Sequence, residues 1–266
     1  RWRGISSVLV LPQNVHEVST VVSLANARNI PIIPYGGGTG LVGGQIQDKG
    51  PSGILLSLER MNEIRSLNLD ENVITVESGV ILSNLRDEAE KVKRIFPLSL
   101  ASEGTAQIGG NLATNAGGVN VLRYGSTRHL CLGLEVVFSD GSIWNGLSRL
   151  HKDNTGYDLK NLIIGSEGTL GIITAATMKL FPKPLEHTVA LIAVKSPKDA
   201  LRLLSETKDY FGETISAFEL INKMGIDFLN ETKVEVKVPF SNIPEWMVLL
   251  DICLLYTSPS PRDRLK

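Results

Sequence analysis

Residues 32–44 read IIPYGGGTGLVGG, with glycine at positions 36, 37, 38, 40, 43 and 44. Glycine at that density costs chain entropy on folding, so the loop must need backbone geometries or close approaches that a Cβ would forbid. Bare backbone N–H groups in such a turn form a concavity that holds phosphate oxygens, and the predicted occupant is a pyrophosphate. A glycine loop without any ligand is the plain alternative. Gly38, Gly40 and Gly43 satisfy the G-x-G-x-x-G spacing of a dinucleotide turn, but such a turn must open into a helix whose N-terminus faces the phosphates. The chain continues instead as QIQDKGPSG, broken by Gly50, Pro51 and Gly53, so no helix is expected there. A P-loop fails as well, because no Gly-Lys-Ser/Thr closes the run.

Two further clusters carry polar groups amid small residues. Residues 104–118 read GTAQIGGNLATNAGG. Gly109, Gly110, Ala113, Thr114, Ala116, Gly117 and Gly118 would let backbone lie against something flat or bulky, while Asn111, Thr114 and Asn115 supply donors and acceptors. Tight helix packing is the alternative, but the pairing with the first loop favours one shared ligand. Residues 154–174 add Gly156, Gly165, Gly168 and Gly171, and Glu167 is the sole acid from 162 to 174. It suits a hydrogen bond to a ligand or a backbone amide, or else a solvent-facing turn. The histidines His16, His129, His151 and His187 are dispersed with no metal-ligand spacing. Cys131 and Cys253 are too few for a disulfide framework and read as buried, reduced thiols in a reducing compartment.

These residues need a scaffold, and the chain supplies one. Its 266 residues, 42% apolar, suffice for one large or two modest domains, and a net charge of −1 gives no attraction to nucleic acid or anionic membrane. No apolar run approaches the roughly 18 residues of a membrane span, and no signal peptide is visible. The opening Arg1-Trp2-Arg3-Gly4 lacks a Met, so the chain is expected to be a fragment at that end. Residues 7–11 read as a strand. Asn14 and Glu17 form a capping-box arrangement, and Val15, Val18, Val21, Val22 and Ala25 follow at helical spacing. With the strand that enters the glycine loop, they make a β-α-β unit. Strands are expected at 53–58, 63–69 and 73–77, a helix at 82–92, strands at 132–138 and 142–145 around an Asp140-Gly141 turn, and a strand at 172–180. The pattern is α+β. Phe181-Pro182-Lys183-Pro184 marks a boundary. Beyond it come a strand at 189–194, a helix from the Ser196 cap and Pro197 to Phe211, a strand at 215–220, a helix at 222–230 and a strand at 246–252.

Four pieces, PYGGGTGLVGG, IGGNLATNAGG, DNTGYDLKNL and IGSEGTLGIIT, together resemble the FAD-binding domain of the vanillyl-alcohol oxidase (PCMH-type) superfamily. Within it the chain is most similar to the FAD-linked D-2-hydroxyacid dehydrogenases, the branch of D-2-hydroxyglutarate and D-lactate dehydrogenases and the glycolate oxidase catalytic subunit. The resemblance implies a PCMH-type domain of two α+β subdomains over 1–184 and the start of an α+β substrate (cap) domain over 185–252. Residues 253–266 depart from the family and look like translated sequencing-adaptor read-through, a non-native tail. By resemblance, Gly36, Gly37, Gly38, Thr39 and Gly40 wrap the FAD pyrophosphate. Gly104, Thr105, Gly109, Gly110, Asn111, Thr114, Asn115, Gly117 and Gly118 lie along the ribityl and isoalloxazine portion. Glu167, Gly168, Ile172 and Ile173 line the adenine-ribose and neighbouring contacts. Some relatives attach flavin through a histidine beside the glycine loop; Thr39 stands there, so FAD is expected to be non-covalent.

The implied reaction oxidises a D-2-hydroxy acid to the 2-keto acid, with hydride passing to flavin N5 and a histidine acting as base. In the family that base and the metal-ligand histidines sit in an H-G-x-G-N-x-H-like motif that has no match here. No catalytic or metal residue is therefore assigned, and a divalent metal belongs to the full-length protein only. The implied partners are a small 2-hydroxy acid and an electron acceptor, with a homodimer or a multi-subunit complex both open. The implied location is cytoplasmic, or the mitochondrial matrix in a eukaryote. The alternatives are a non-catalytic flavin-binding subunit, another oxidoreductase of the superfamily such as an alkyl-ether-lipid synthase or sugar-acid oxidase, and, disfavoured by the missing helix after Gly44, a NAD-binding dehydrogenase.

Overall fold

The computed structural model describes residues 3–6, 8–232, 234 and 239–254. Strand β1 (Val8–Val10), helix α1 (Val15–Ala27) and strand β2 (Ile32–Tyr35) form the expected β-α-β opening; Ser7, the expected first residue of β1, lies outside the described residues. The Asn14 side chain accepts the Glu17 N–H at 3.0 Å, and the Glu17 carboxylate accepts in return from the Asn14 amide and the Gln13 N–H. These bonds satisfy donors that a helix start leaves open. Strand β3 (Ile54–Ser57) lies between β1 and β2, parallel to both. Val18 and Val22 of α1 pack with Leu56, Leu58, Met61, Val137 and Ile172 in one apolar cluster.

Further along come β4 (Ile64–Asn68), β5 (Val73–Glu77), α2 (Leu82–Lys91), β6 (Arg94–Ile95), α3 (Ile108–Ala113), α4 (Val121–Tyr124), α5 (Thr127–Leu130), β7 (Cys131–Val137), β8 (Ile143–Gly146), α6 (Leu159–Ile163), β9 (Ile172–Lys179) and β10 (Phe181–Pro182). A five-stranded sheet runs in the order β4-β5-β9-β7-β8 and is antiparallel throughout. Every residue of β5 and β7 is buried, which suits their runs of β-branched and aliphatic side chains. The β4–β5 turn closes through Asn72 at φ 52, a left-handed conformation that asparagine tolerates.

After the boundary follow β11 (Glu186–Val194), α7 (Pro197–Phe211), β12 (Ile215–Asn222), α8 (Lys223–Glu231) and β13 (Trp246–Leu254). They make an antiparallel sheet, β11-β13-β12, with its helices. Ser196 caps α7 through the Asp199 N–H, with Pro197 in its first turn, and Asn222 caps α8 through the Met224 N–H. β11 starts three residues before the expected position. β13 runs through Cys253 and Leu254, two residues into the stretch expected to be foreign; residues 255–266 lie outside the described residues.

The chain divides into two compact units. The first takes the chain up to Gly118 together with Ser126–Phe181, and the second takes Val119–Gly125 and everything from Pro182 on. The excursion at Val119–Gly125 falls inside the span 1–184 expected for the first domain. Its helix α4 packs against β12 of the second unit.

Candidate functional site

The three glycine clusters meet in one cleft of the first unit, about 530 Å³ in volume. From the loop after β2 come Gly36, Gly37, Gly38, Thr39 and Gly40. From α3 and its C-cap come Gly109, Gly110, Asn111 and Thr114. Glu167 and Gly168, with Ile172 and Ile173 at the start of β9, close the third side. Gly104, Thr105, Asn115, Gly117 and Gly118, assigned to the same site by resemblance, are absent from the cleft lining. Thr105 acts from behind, since a Cβ on Gly37 would overlap its carbonyl oxygen. Asn115, at φ 47, spends its side-chain oxygen on the Arg128 N–H at 3.0 Å. Gly118 lies so close to the Ser99 carbonyl that a Cβ would overlap it. Gly104 faces open space and Gly117 is exposed.

Backbone hydrogen bonds tie the third cluster to α3. The Gly165 N–H donates to the Leu112 carbonyl at 3.0 Å, and the Glu167 N–H to the Ala113 carbonyl at 2.9 Å. Arg128 fastens the same loop by donating to the carbonyls of Asn161 and Ile164. Glu167 is held at φ 53, and its Oε2 lies 3.1 Å from where a Cβ on Gly44 would stand, so its carboxylate reaches the first glycine loop. The turn of that loop needs Gly38, at φ 67, because a side chain there would be strained and would overlap the Tyr35 hydroxyl.

Several lining residues had not been singled out in the sequence: Tyr35, Gln45, Ser78 and Gln107 among them. Gln107 had a visible signal, a lone amide directly before Ile108-Gly109-Gly110. Gln107 is 8% exposed and Asn111 5%, yet Gln107 Oε1 and Asn111 Nδ2 have no hydrogen-bond partner. Buried polar atoms are nearly always paired in native proteins, and an unpaired one costs about 1–3 kcal/mol. Both therefore fit a cleft built to be filled. Gly110 adds room, with no atom within 4 Å of where its Cβ would stand. A dinucleotide fits this arrangement: glycine-loop amides for phosphate oxygens, neutral amide side chains beside them, and Glu167 as an acceptor for hydroxyls.

No histidine or cysteine lines the cleft among the described residues. His129 Nδ1 accepts the Ser126 N–H at 3.3 Å, while His16 and His151 are exposed. The fourth histidine departs from the sequence expectation of isolated residues. In the second unit the β11–β13 register puts His187 opposite Cys253, and with Asp251 their ligand atoms lie within 4.8 Å of one another. His187 and Asp251 already satisfy each other at 2.8 Å, and Cys253 begins the stretch expected to be foreign. Cys131 is buried, and burial pushes its thiol up to about 12.

A family model described as an FAD binding domain matches residues 6–146, more than half of the chain. D-2-hydroxyglutarate dehydrogenase, mitochondrial, of Danio rerio is 40% identical over 249 residues, 93% of this chain and 46% of that protein. The D-2-hydroxyglutarate–pyruvate transhydrogenase of Saccharomyces cerevisiae is 34% identical over 94% of this chain and 50% of its own length. The chain thus spans about half the length of these relatives. Among solved structures, p-cresol methylhydroxylase with substrate bound superposes with a TM-score of 0.72 at 19% identity, over 92% of this chain and 52% of that one. That likeness, in mixed helix and strand, is the PCMH-type architecture. The chain belongs to the FAD binding domain family, with FAD as its cofactor.

Proposed function

We propose that this chain is the cofactor-holding part of a dehydrogenase that oxidises a D-2-hydroxy acid, of the D-2-hydroxyglutarate, D-lactate or glycolate type, to its 2-keto acid. The observation that carries the reading is the meeting of three glycine clusters at one cleft with two unpaired buried amides. The names of the relatives at 34–40% identity support the substrate class. The backbone amides of residues 36–40 hold the diphosphate, as concave glycine turns do. Asn111, Thr114, Gly109 and Gly110 face the ribityl and ring portion. Glu167 accepts hydroxyls of the adenosine ribose, with Gly168, Ile172 and Ile173 beside it. When bound, the flavin supplies the acceptor for the hydride that leaves the substrate Cα. The attachment is non-covalent, with Thr39 where a linking histidine would stand.

The name of the yeast relative couples its reaction to pyruvate, which makes pyruvate an acceptor to try beside an artificial dye. A mitochondrial matrix setting, or the cytoplasm of a bacterium, belongs to the same reading, and the mitochondrial name of the fish relative favours the first. Reconstitution tests the cofactor part: the chain mixed with excess FAD should leave a desalting column yellow and lose the colour to the supernatant on acid precipitation. The substrate part is tested in the protein that carries this chain, which should reduce a dye with the D but not the L enantiomer of 2-hydroxyglutarate or lactate. Equal rates with both enantiomers, or with neither, would overturn it.

A further inference from the structure

We infer that Gln107 and Asn111 together form a neutral donor–acceptor clamp that reads the hydroxyl-bearing ribityl chain of the cofactor, and that the protein holds this clamp unsatisfied until the cofactor arrives. The inference rests on the reading of the cleft as the FAD site and deepens it. Gln107 precedes α3, and its backbone is fixed twice, by a bridge to Ile81 and by its carbonyl, which accepts the Asn111 N–H at 2.9 Å. The Asn111 carbonyl accepts the Ala116 N–H at 2.8 Å. Both main chains are thus committed to the fold, while neither side chain caps the helix start. Gln107 is the N-cap of α3 and Asn111 lies within the helix, and both line the cleft.

The two unpaired atoms are opposite in kind: Gln107 Oε1 accepts and Asn111 Nδ2 donates. A diphosphate would satisfy only the donor, because it offers no hydrogen to Oε1. A hydroxyl both gives and takes, so a chain of hydroxyls satisfies both atoms. Position agrees with this chemistry. Gln107 Oε1 lies 3.7 Å from where a Cβ on Gly36 would stand, at the edge of the proposed diphosphate loop. Two hydroxyl-bearing parts of FAD are joined to that diphosphate, the adenosine ribose and the ribityl chain, and with Glu167 proposed for the ribose, Gln107 and Asn111 are left to the ribityl. Neither residue carries charge, so the clamp adds selectivity without repelling the phosphates.

The near-isosteric variants Gln107→Met and Asn111→Leu remove the polar atoms and keep the volume. In the chain as it stands, each should melt without cofactor at or above the wild-type temperature, because an unpaired buried atom has been removed. Each should bind FAD at least tenfold more weakly, by fluorescence quenching or calorimetry, yet bind ADP as the wild type does, since ADP has the diphosphate but no ribityl. FAD analogues lacking single ribityl hydroxyls should bind the wild type more weakly than FAD, with one analogue and FAD indistinguishable to a variant. Wild-type FAD affinity in both variants would overturn the clamp, as would parallel loss of ADP and FAD or a lowered melting temperature without cofactor. Failure of the wild type itself to bind either FAD or ADP would instead overturn the cofactor reading of the cleft.

Discussion

Arg65 donates to two carboxylates at once, to Glu77 at 3.0 Å and to Glu135 at 3.2 Å, and both acids are more than nine-tenths buried. Glu135 also accepts the Thr174 hydroxyl at 2.8 Å, and Glu77 accepts the Glu63 N–H at 3.1 Å. Burial lowers the guanidinium pKa, but the hydrogen bonds to Glu135 and Glu77 outweigh it and raise the net value. Removing the cation would strand two buried anions, and breaking such a set costs about 3 kcal/mol or more. Arg65→Met should therefore lower the unfolding free energy measured in a urea melt by about that amount, with no change in the FAD contacts. Cys131 gives a second measurement. With its folded pKa raised from 9.0 to about 12, its contribution to stability is complete below pH 9 and is lost as pH rises from 9 toward 12. At pH 8 it should react with a thiol reagent no faster than the protein unfolds, so its labelling rate should track denaturant. The sequence did flag Cys131 as a buried thiol, but it could not show the Arg65 set, whose members lie on strands up to 70 residues apart.

At the scale of elements, the long periodic segments were readable and the short ones were not. α1, α2 and α7 declared themselves through apolar spacing and caps, and the hairpin through Asp140-Gly141. α3, α5 and α6, of six, four and five residues, are too short to show a helical period, and glycine at 109 and 110 argues locally against a helix. These short helices are what bring Asn111 and Glu167 into one cleft, so the sequence named the clusters but not how they join. Two glycines separate packing from binding. Gly37→Ala would push a methyl into the Thr105 carbonyl and should lower stability even without cofactor. Gly110→Ala meets nothing within 4 Å and replaces a helical glycine, so the cofactor-free protein should gain up to about 1 kcal/mol. The same methyl enters the cleft, so FAD affinity should fall at least tenfold by titration. Asn14→Ala removes the α1 cap and should cost about 1 kcal/mol in a denaturant melt.

For the molecule as a whole, every residue that lines the cleft belongs to the first unit. A ligand stabilises only the state that binds it, by about 2.7 kcal/mol at a hundred times Kd. Calorimetry with saturating FAD should therefore raise the transition of the first unit, and any separate transition of the second should stay in place. The short excursion at Val119–Gly125 into the second unit is not legible in the sequence. Seven residues carry too little pattern, and their affiliation depends on β12, far along the chain. That excursion has a temporal consequence. A ribosome makes α4 about ninety residues before the strand it packs on, which at roughly 5–20 residues per second is a delay on the order of 5–20 s. For that interval the nascent first unit must hold its own flanks of α4 together around a helix whose partner has yet to be translated.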